Sequence, residues 1–214
     1  MQLAIAVAAA VAVAGLALGP VLRLLARPWV RTTPATRPPV VELATAALLV
    51  AIVLVDHDDV PRLVLGILLV VFLVPLTLVD LGVRLLPNRL TGSAAAVAIV
   101  AGTLLDPGGE LERLLAGTAA GGCFLLAALA SPAGMGMGDV KLAAVLGLYL
   151  GGEVAVAVFV ALLAGVAAGL IVIARRGAAA GRKTVLAFGP FLALGGATAV
   201  IAGERLLDAY LTHL

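Results

Sequence analysis

Residues 62–80 read RLVLGILLVVFLVPLTLVD, an apolar run that begins at an arginine and ends at an aspartate. A helix needs about 20 mostly apolar residues to cross the hydrocarbon core of a bilayer, and this run has that length. It therefore predicts a membrane-spanning helix that carries an acidic residue, Asp80, at one end.

Apolar runs of this kind recur along the chain, separated by charged or Pro/Gly-rich breaks. Of the 214 residues, 63% are hydrophobic and only 12% are charged, and the mean hydropathy is +1.22. Polar surface is too scarce for a soluble globule. We predict an all-α fold, a polytopic transmembrane helical bundle that forms a single domain over residues 1–214. About eight spans are expected, near residues 2–25, 40–55, 62–80, 90–105, 111–130, 139–151, 154–174 and 185–207.

Several function classes are excluded by composition. Cys123 is the single cysteine, which rules out intrachain disulfides and cysteine-rich zinc sites. No basic tail or aromatic-basic patch indicates a nucleic-acid partner. We expect no metal and no cofactor. Glycines recur at a spacing of four and predict close helix packing, at Gly117 and Gly121, Gly147 and Gly151, and Gly165 and Gly169.

The basic residues fall into two sets that alternate along the chain. Flanking Lys and Arg are retained in the cytoplasm, so the richer set marks the cytoplasmic face and both termini are expected outside. The richer set is Arg23, Arg27, Arg31, Arg37, Arg84, Arg89, Lys141, Arg175, Arg176, Arg182 and Lys183, and the poorer set is Arg62, Arg113 and Arg205. The poorer set comes with most of the acidic residues. Asp80 and Asp139 both fall at the cytoplasmic face.

Ionisable groups at membrane depth are costly and are default functional candidates, but both aspartates also have simpler interpretations. Asp80 could pair with Arg84 one helical turn later. Asp139 could be the N-cap of an apolar helix. Lys141 is most simply an anchor whose ammonium reaches the interface.

The residues around each aspartate favour function. Pro87 is predicted to end one element and Asn88 to cap the next. Gly136 and Gly138 leave the backbone before Asp139 open, so that an extended substrate strand can approach it.

Four segments resemble the type IV prepilin peptidases, membrane aspartyl proteases with a Gly-x-Gly-Asp motif. The resemblance covers about residues 38–196. The matching segments are Asp80 with Pro87 and Asn88, then Gly136-Met137-Gly138-Asp139-Val140-Lys141-Leu142, then Phe188-Gly189-Pro190-Phe191-Leu192-Ala193-Leu194-Gly195, and more weakly Val41-Glu42-Leu43.

The resemblance implies that Asp80 and Asp139 are the catalytic pair of an endopeptidase of the bacterial cytoplasmic membrane. It implies that the substrate is the basic leader of a pilin or pseudopilin precursor, cut on the cytoplasmic side. Larger family members carry two Cys-x-x-Cys pairs in an insert associated with N-methylation of the product. The corresponding stretch, Arg27 to Pro39, has no cysteine, so zinc binding and methyl transfer are not expected.

Two adjacent carboxyl groups share one proton, so that the anion activates water and the neutral group polarises the scissile carbonyl. The helix dipole favours an anion at a helix N-terminus, which predicts Asp139 as the base and Asp80 as the proton donor. Pairing with Arg84 would oppose that assignment.

Other contacts and classes stay open. The cytoplasmic arginines could attract anionic lipid. Glu42, the only other acid on that face, could attract a basic leader, although a favourable charge at a helix N-terminus is the simpler interpretation. A proton- or cation-coupled transporter and an inactive homologue that binds precursors are the alternatives to a protease. The sequence does not indicate an oligomeric state.

Overall fold

The computed structural model of the protein describes residues 2–30, 39–131, 134–177 and 187–212. These residues form eight α-helices and no strand, which confirms the predicted all-α fold. A 3-10 turn, Gly151–Glu153, separates the sixth helix from the seventh. The helices are α1 (Gln2–Ala26), α2 (Val40–Asp56), α3 (Val60–Val83), α4 (Asn88–Leu105), α5 (Glu110–Ala130), α6 (Met137–Leu150), α7 (Val154–Arg176) and α8 (Gly189–Leu211).

Each predicted span corresponds to one of these helices, with ends that differ by a few residues. Within the described part of the chain, six stretches are long and apolar enough to cross a membrane, and one of them, Met137–Arg176, contains both α6 and α7. The 17 residues of α2 lie outside these stretches. The expectation of about eight spans is thus approximately met, and the shortest of the eight helices described are α6, with 14 residues, and α2, with 17.

Local signals fix both ends of α3. At its start the Asp59 carboxylate accepts a hydrogen bond of 3.0 Å from the backbone N–H of Arg62, and Pro61 occupies the first turn, where its missing N–H costs nothing. At its end Arg84 takes the left-handed conformation, with φ 54°, and its N–H bonds to the carbonyl of Asp80.

The core lies along α3, which packs against α1, α2, α4, α6 and α8. Four residues in the middle of α3 are almost completely buried, namely Leu69, Val70, Leu73 and Leu76. They pack in one apolar cluster with Leu142 and Leu146 of α6 and Leu192 of α8. Among the stretches able to cross a membrane, the one that ends near Asp80 therefore has the largest buried share.

Small residues bring neighbouring helices into backbone contact. A Cβ added at Gly147 would lie 2.5 Å from Cα of Gly117, and one added at Gly121 would lie 2.8 Å from Cβ of Ala144. Close packing of α5 on α6 at the predicted glycines is thus confirmed. The prediction is wrong for Gly169, where an added Cβ would meet nothing within 4 Å, because this part of α7 faces away from the bundle.

Charged residues of the arginine-poor set collect at one end of the bundle. Arg62 forms ion pairs with Asp56 at 2.9 Å, Glu153 at 2.8 Å and Glu204 at 3.0 Å, which link α3 to α2, the 3-10 turn and α8. Arg113 pairs with Asp106 nearby. A cavity of about 420 Å³ lies between these two arginines.

Asp80 lies at the other end of α3, where α1 and α2 contribute the neighbouring packing. Val41 and Leu78 are buried in a small cluster there, and an added Cβ at Gly82 would lie 2.7 Å from Val30. The two charge sets thus lie at opposite ends of the bundle. Arg31, Arg37, Arg182 and Lys183, and most of the Arg27 to Pro39 stretch, lie outside the described residues.

Candidate active site

Asp80 occupies the last turn of α3 and is only 6% exposed. Its Oδ2 accepts a hydrogen bond of 3.0 Å from the backbone N–H of Gly189, which is 109 residues away in sequence. Gly189 is the first residue of α8, and the first N–H groups of a helix have no partner within the helix. The end of one helix therefore presents the carboxylate to the start of another.

A side chain at position 189 would crowd the Asp80 carboxyl group. An added Cβ would lie 2.5 Å from Oδ2 of Asp80 and 2.9 Å from its Cγ. Pro190, in the first turn of α8, lacks an N–H at a position where none is needed. The two residues singled out in the Phe-Gly-Pro-Phe segment thus support Asp80.

The aromatic residues on both sides of this pair anchor the start of α8. The ring of Phe188 lies 6.2 Å from that of Phe124 on α5 and 6.0 Å from that of Phe191. Phe188 also packs against Gly165 of α7, where an added Cβ would approach it to 3.1 Å. Aromatic pairs at these distances are favourable, so the cluster holds the Gly189 N–H in place. Phe124 carried no signal in the sequence that linked it to the site.

Asp139 is the third residue of α6, and its side chain is half-buried. The helix begins at Met137 and its N-cap is Gly136, which has no side chain to cap it. The N-cap interpretation of Asp139 is therefore wrong, because the helix starts two residues before it. Its carboxyl group is close enough to that of Asp80 for their charges to repel each other. The two predicted catalytic residues thus lie at the same end of the bundle, near enough for their charges to interact.

The two glycines of the motif differ in their surroundings. An added Cβ at Gly138 would lie 3.0 Å from Cβ of Leu86, so this glycine lets α6 pack on the connection between α3 and α4. Gly136 is exposed, and an added Cβ there would approach the Asp139 carboxyl group to 3.6 Å and the backbone nitrogen of Gly138 to 3.9 Å, both ordinary contact distances. Gly138 is therefore a packing position, whereas Gly136 leaves the approach to Asp139 open.

The connection between α3 and α4 corrects two predictions. Pro87 does not end α3, because the left-handed Arg84 already ends it after Val83, and Pro87 is instead the N-cap of α4. Asn88 does not cap α4. It is the first residue of the helix, and its Oδ1 accepts a hydrogen bond of 2.6 Å from Nζ of Lys141.

That bond also changes the interpretation of Lys141, whose ammonium is held by another motif residue. Asn88 and Lys141 stand at one end of an apolar groove of about 290 Å³ between α4 and α6, which is also lined by Thr91, Ala95, Ala144 and Leu148.

The alternative interpretation of Asp80, an ion pair with Arg84, is not observed, since no ion pair joins these two side chains, both of which the structure describes. Arg84 is exposed and contributes its backbone N–H to the end of α3 instead.

Glu42, in the first turn of α2, is 8% exposed and forms an ion pair of 2.5 Å with Arg23 of α1. Gly19 of α1 packs directly on it, since an added Cβ there would lie 2.7 Å from Cα of Glu42. The sequence placed Arg23 and Glu42 on the same face but did not predict their pairing. Elsewhere, among the described residues, no group of three or more His, Cys, Asp or Glu side chains is placed to hold a metal ion.

Comparison with known families relates this geometry to a protein class. The sequence profile of the Type IV leader peptidase family matches residues 67–173, half of the chain, and this segment contains both Asp80 and Asp139. The chain belongs to the Type IV leader peptidase family. The Phe-Gly-Pro-Phe segment that supports Asp80 lies beyond the matched part of this family's profile.

Curated relatives from the same family cover more of the chain. A prepilin leader peptidase/N-methyltransferase of Aeromonas hydrophila is 32% identical over 83% of this chain and 62% of its own length. Proteins of the same name from Neisseria gonorrhoeae and Xanthomonas campestris pv. campestris are 31% and 32% identical, over 69% and 81% of this chain. The chain spans 53–62% of the length of these relatives. No solved structure matches it.

Proposed function

We propose that this protein is a membrane aspartyl endopeptidase that removes the basic leader from pilin or pseudopilin precursors. The observation that carries the proposal is the approach of the Asp80 and Asp139 carboxyl groups, from α3 and α6, within the segment matched to a peptidase family. The three relatives named above are leader peptidases, which supports the same substrate class. Membership in this family does not favour the alternative of a transporter.

The chemistry follows from two carboxyl groups that cannot both ionise easily and therefore hold one proton between them. The anion removes a proton from a water molecule that attacks the scissile carbonyl, while the neutral group donates its proton to the carbonyl oxygen. The exposed Gly136 leaves room beside Asp139 for an extended peptide. No residue of this scheme requires a metal or a cofactor.

The proposed orientation places the Asp80 end of the bundle at the cytoplasmic face of the bacterial inner membrane, with both termini outside. Its support is the separation of the two charge sets, because the arginine-poor set surrounds Arg62 and Arg113 at the far end of the bundle. The proposal treats residues 1–214 as one peptidase domain that is surrounded by membrane lipid. It does not include N-methylation, because the short stretch from Arg27 to Pro39 has no cysteine.

A cleavage assay with the purified full chain in detergent tests this function. We expect wild type to remove the leader of a pilin-like precursor, and Asp80→Asn and Asp139→Asn each to lose at least about 1,000-fold in kcat/KM. Asp58→Asn is the matched control, because its side chain is 93% exposed at the opposite end of the bundle. Comparable thermal unfolding would show that the inactive variants are folded.

Appreciable cleavage by Asp80→Asn would exclude the two-carboxylate scheme. An inactive wild type that still binds the precursor would indicate the non-cleaving homologue. Proton-coupled flux in liposomes without any cleavage would indicate the transporter.

A further inference from the structure

We propose that Asp80 is the ionised member of the pair and acts as the base, and that the backbone N–H of Gly189 is the positioning group that keeps it so. Asp139 then holds the shared proton. This inference deepens the proposed function and rests on it. It reverses the assignment that the helix ends predict from sequence, and the reason is a contact between segments that lie far apart in the chain.

The hydrogen bond between Gly189 and Asp80 distinguishes the two carboxyl groups. A backbone N–H that donates to a carboxylate favours the charged form, and such charge-assisted bonds are roughly twice as strong as neutral ones. The bond is buried, where a low dielectric strengthens it further. Gly189 also begins the 23-residue helix α8, so that the positive end of this helix dipole faces Asp80.

Asp139 also lies in the first turn of a helix, so the dipole alone does not separate the two aspartates. The backbone N–H of Gly136 is directed at the Asp139 carboxyl group. Within the described residues, however, no donor forms a hydrogen bond with it that matches the 3.0 Å bond at Asp80. With an anion fixed beside it, Asp139 is the group that retains the proton.

Burial acts against this assignment, because Asp80 is more deeply enclosed than Asp139 and desolvation disfavours a buried charge. A buried polar group that is hydrogen-bonded avoids most of that cost, and the N–H of Gly189 supplies the bond. The position of the start of α8 therefore decides the balance, and the Phe124, Phe188 and Phe191 cluster fixes this position.

The catalytic cycle balances with these roles. Asp80 takes one proton from the water molecule while the oxygen of that water bonds to the carbonyl carbon. Asp139 gives its proton to the carbonyl oxygen, and the product of this step is a gem-diol. Asp80 then passes its proton to the amide nitrogen as the C–N bond breaks. Asp139 recovers a proton from one hydroxyl group, and both aspartates return to their starting states.

The Gly189 amide itself reports the ionisation of Asp80. The chain contains a single Phe-Gly dipeptide, Phe188-Gly189, so labelling with carbonyl-13C phenylalanine and 15N glycine selects one amide resonance in wild type. We expect its proton shift to show a carboxylate-bound amide at pH 7 and to move only on acidification. Asp80→Asn should abolish that titration. A Gly189 resonance that instead shifts as the pH is raised above 7 would overturn the proposal.

The pH profile of cleavage gives a second, independent readout. Gly189→Ala keeps the N–H but inserts a Cβ against the Asp80 carboxylate. We expect the acid limb of kcat/KM to move up by roughly one pH unit, a loss of about tenfold on that limb, while the alkaline limb stays in place. Gly169→Ala, where the new methyl group meets nothing, is the matched control. Movement of the alkaline limb alone would assign the proton to Asp80 and contradict the proposal.

The two measurements separate this inference from the proposed function. If wild type cleaves no precursor, the proposed function fails, yet the Gly189 resonance still shows which aspartate is ionised. If Gly189→Ala does not fold, the wild-type titration alone decides.

Discussion

The side-chain ammonium of Lys141 donates a hydrogen bond of 2.6 Å to Oδ1 of Asn88, across 53 residues of sequence. Asn88 is the first residue of α4, and Lys141 follows Asp139 by two residues on α6. The bond ties the two motif segments to each other rather than to a substrate. It therefore fixes where α6, and with it the Asp139 carboxyl, stands relative to the end of α3.

Removing this bond should weaken catalysis more than folding. We expect Lys141→Met and Asn88→Ala each to lower kcat/KM by about 5-fold, in keeping with a hydrogen bond worth about 1 kcal/mol. The double variant should lose no more than either single one, because both remove the same contact. Arg89→Met, an exposed cation beside Asn88, is the control. Losses that multiply in the double variant would show that the two residues act separately.

Two adjacent glycines on α5 give a matched test of helix packing. An added Cβ at Gly121 would meet Ala144 at 2.8 Å, whereas one at Gly122 would meet nothing within 4 Å. We expect Gly121→Ala to lower the free energy of unfolding by about 1–3 kcal/mol because it overpacks the interface between α5 and α6. Gly122→Ala should leave it unchanged or raise it by up to about 1 kcal/mol. Equal effects in a denaturant titration in mixed micelles would argue against this interface.

Arg62 should be the most sensitive charged residue at the end of the bundle opposite Asp80. Arg62→Met leaves Asp56, whose side chain is 4% exposed, and Glu153 without their shared cation. Breaking a buried ion pair from one side costs about 3–5 kcal/mol, so we expect a loss of about 3 kcal/mol in unfolding free energy. Arg205→Met, at an exposed position on α8, should change it by less than about 0.5 kcal/mol. Similar losses for both variants would contradict the role of the Arg62 network.

The sequence predicts the eight helices well because the length and spacing of apolar runs determine membrane spans. The ends of helices were harder to place, as α3 shows. Its span was predicted over residues 62–80, whereas the helix runs from Val60 to Val83. The difference arises from the Asp59 cap, which extends the start, and from the left-handed Arg84, a conformation that a non-glycine residue rarely adopts.

In the candidate site, too, some features could be predicted from the sequence and others could not. The location of Asp80 and Asp139 at one end of the bundle could be predicted, because the distribution of basic residues along the chain puts both at one face. The bond from Gly189 to Asp80 could not, because it joins residues 109 positions apart and depends on how α8 packs. The argument from single helix ends therefore gave the opposite distribution of roles from the one that this bond favours.

Asp106 should make the stability of the protein depend on pH in the acid range. A side-chain hydrogen bond from Arg113, at 2.7 Å, and one from the backbone N–H of Gly109 hold the pKa of this carboxyl below its usual value of 3.8. A lowered pKa in the folded state adds stability above the usual value, and this stability is lost as pH falls through the lowered one. We expect Asp106→Asn to flatten the fall in unfolding temperature below about pH 4.

The control for this experiment is Asp208→Asn, an exposed position on α8. It should leave the acid profile as in wild type. If Asp106→Asn unfolds with the same pH dependence as wild type, the contact with Arg113 contributes nothing to stability.

The buried pair between Arg23 and Glu42 allows the two interpretations of Glu42 to be separated. Each side chain has one buried polar atom without a hydrogen-bond partner in the described structure, Nε of Arg23 and Oε2 of Glu42. The hydrogen-bonding capacity of the pair is therefore only partly satisfied. Removing one partner leaves an uncompensated charge between α1 and α2. We expect Glu42→Met and Arg23→Met each to lower the free energy of unfolding by about 3 kcal/mol.

The double variant Arg23→Met/Glu42→Met should regain most of that loss, because replacing a whole buried ion pair by apolar side chains is often neutral. If Glu42 serves only to hold α2 against α1, cleavage of a precursor by the folded double variant should return to within about 2-fold of wild type. A double variant that is stable but has a KM raised tenfold or more, with kcat unchanged, would instead show that Glu42 binds the basic leader. The comparison works because stability and substrate binding respond to different members of the pair: folding requires that both charges be present or both absent, whereas a cationic leader would need only the carboxylate.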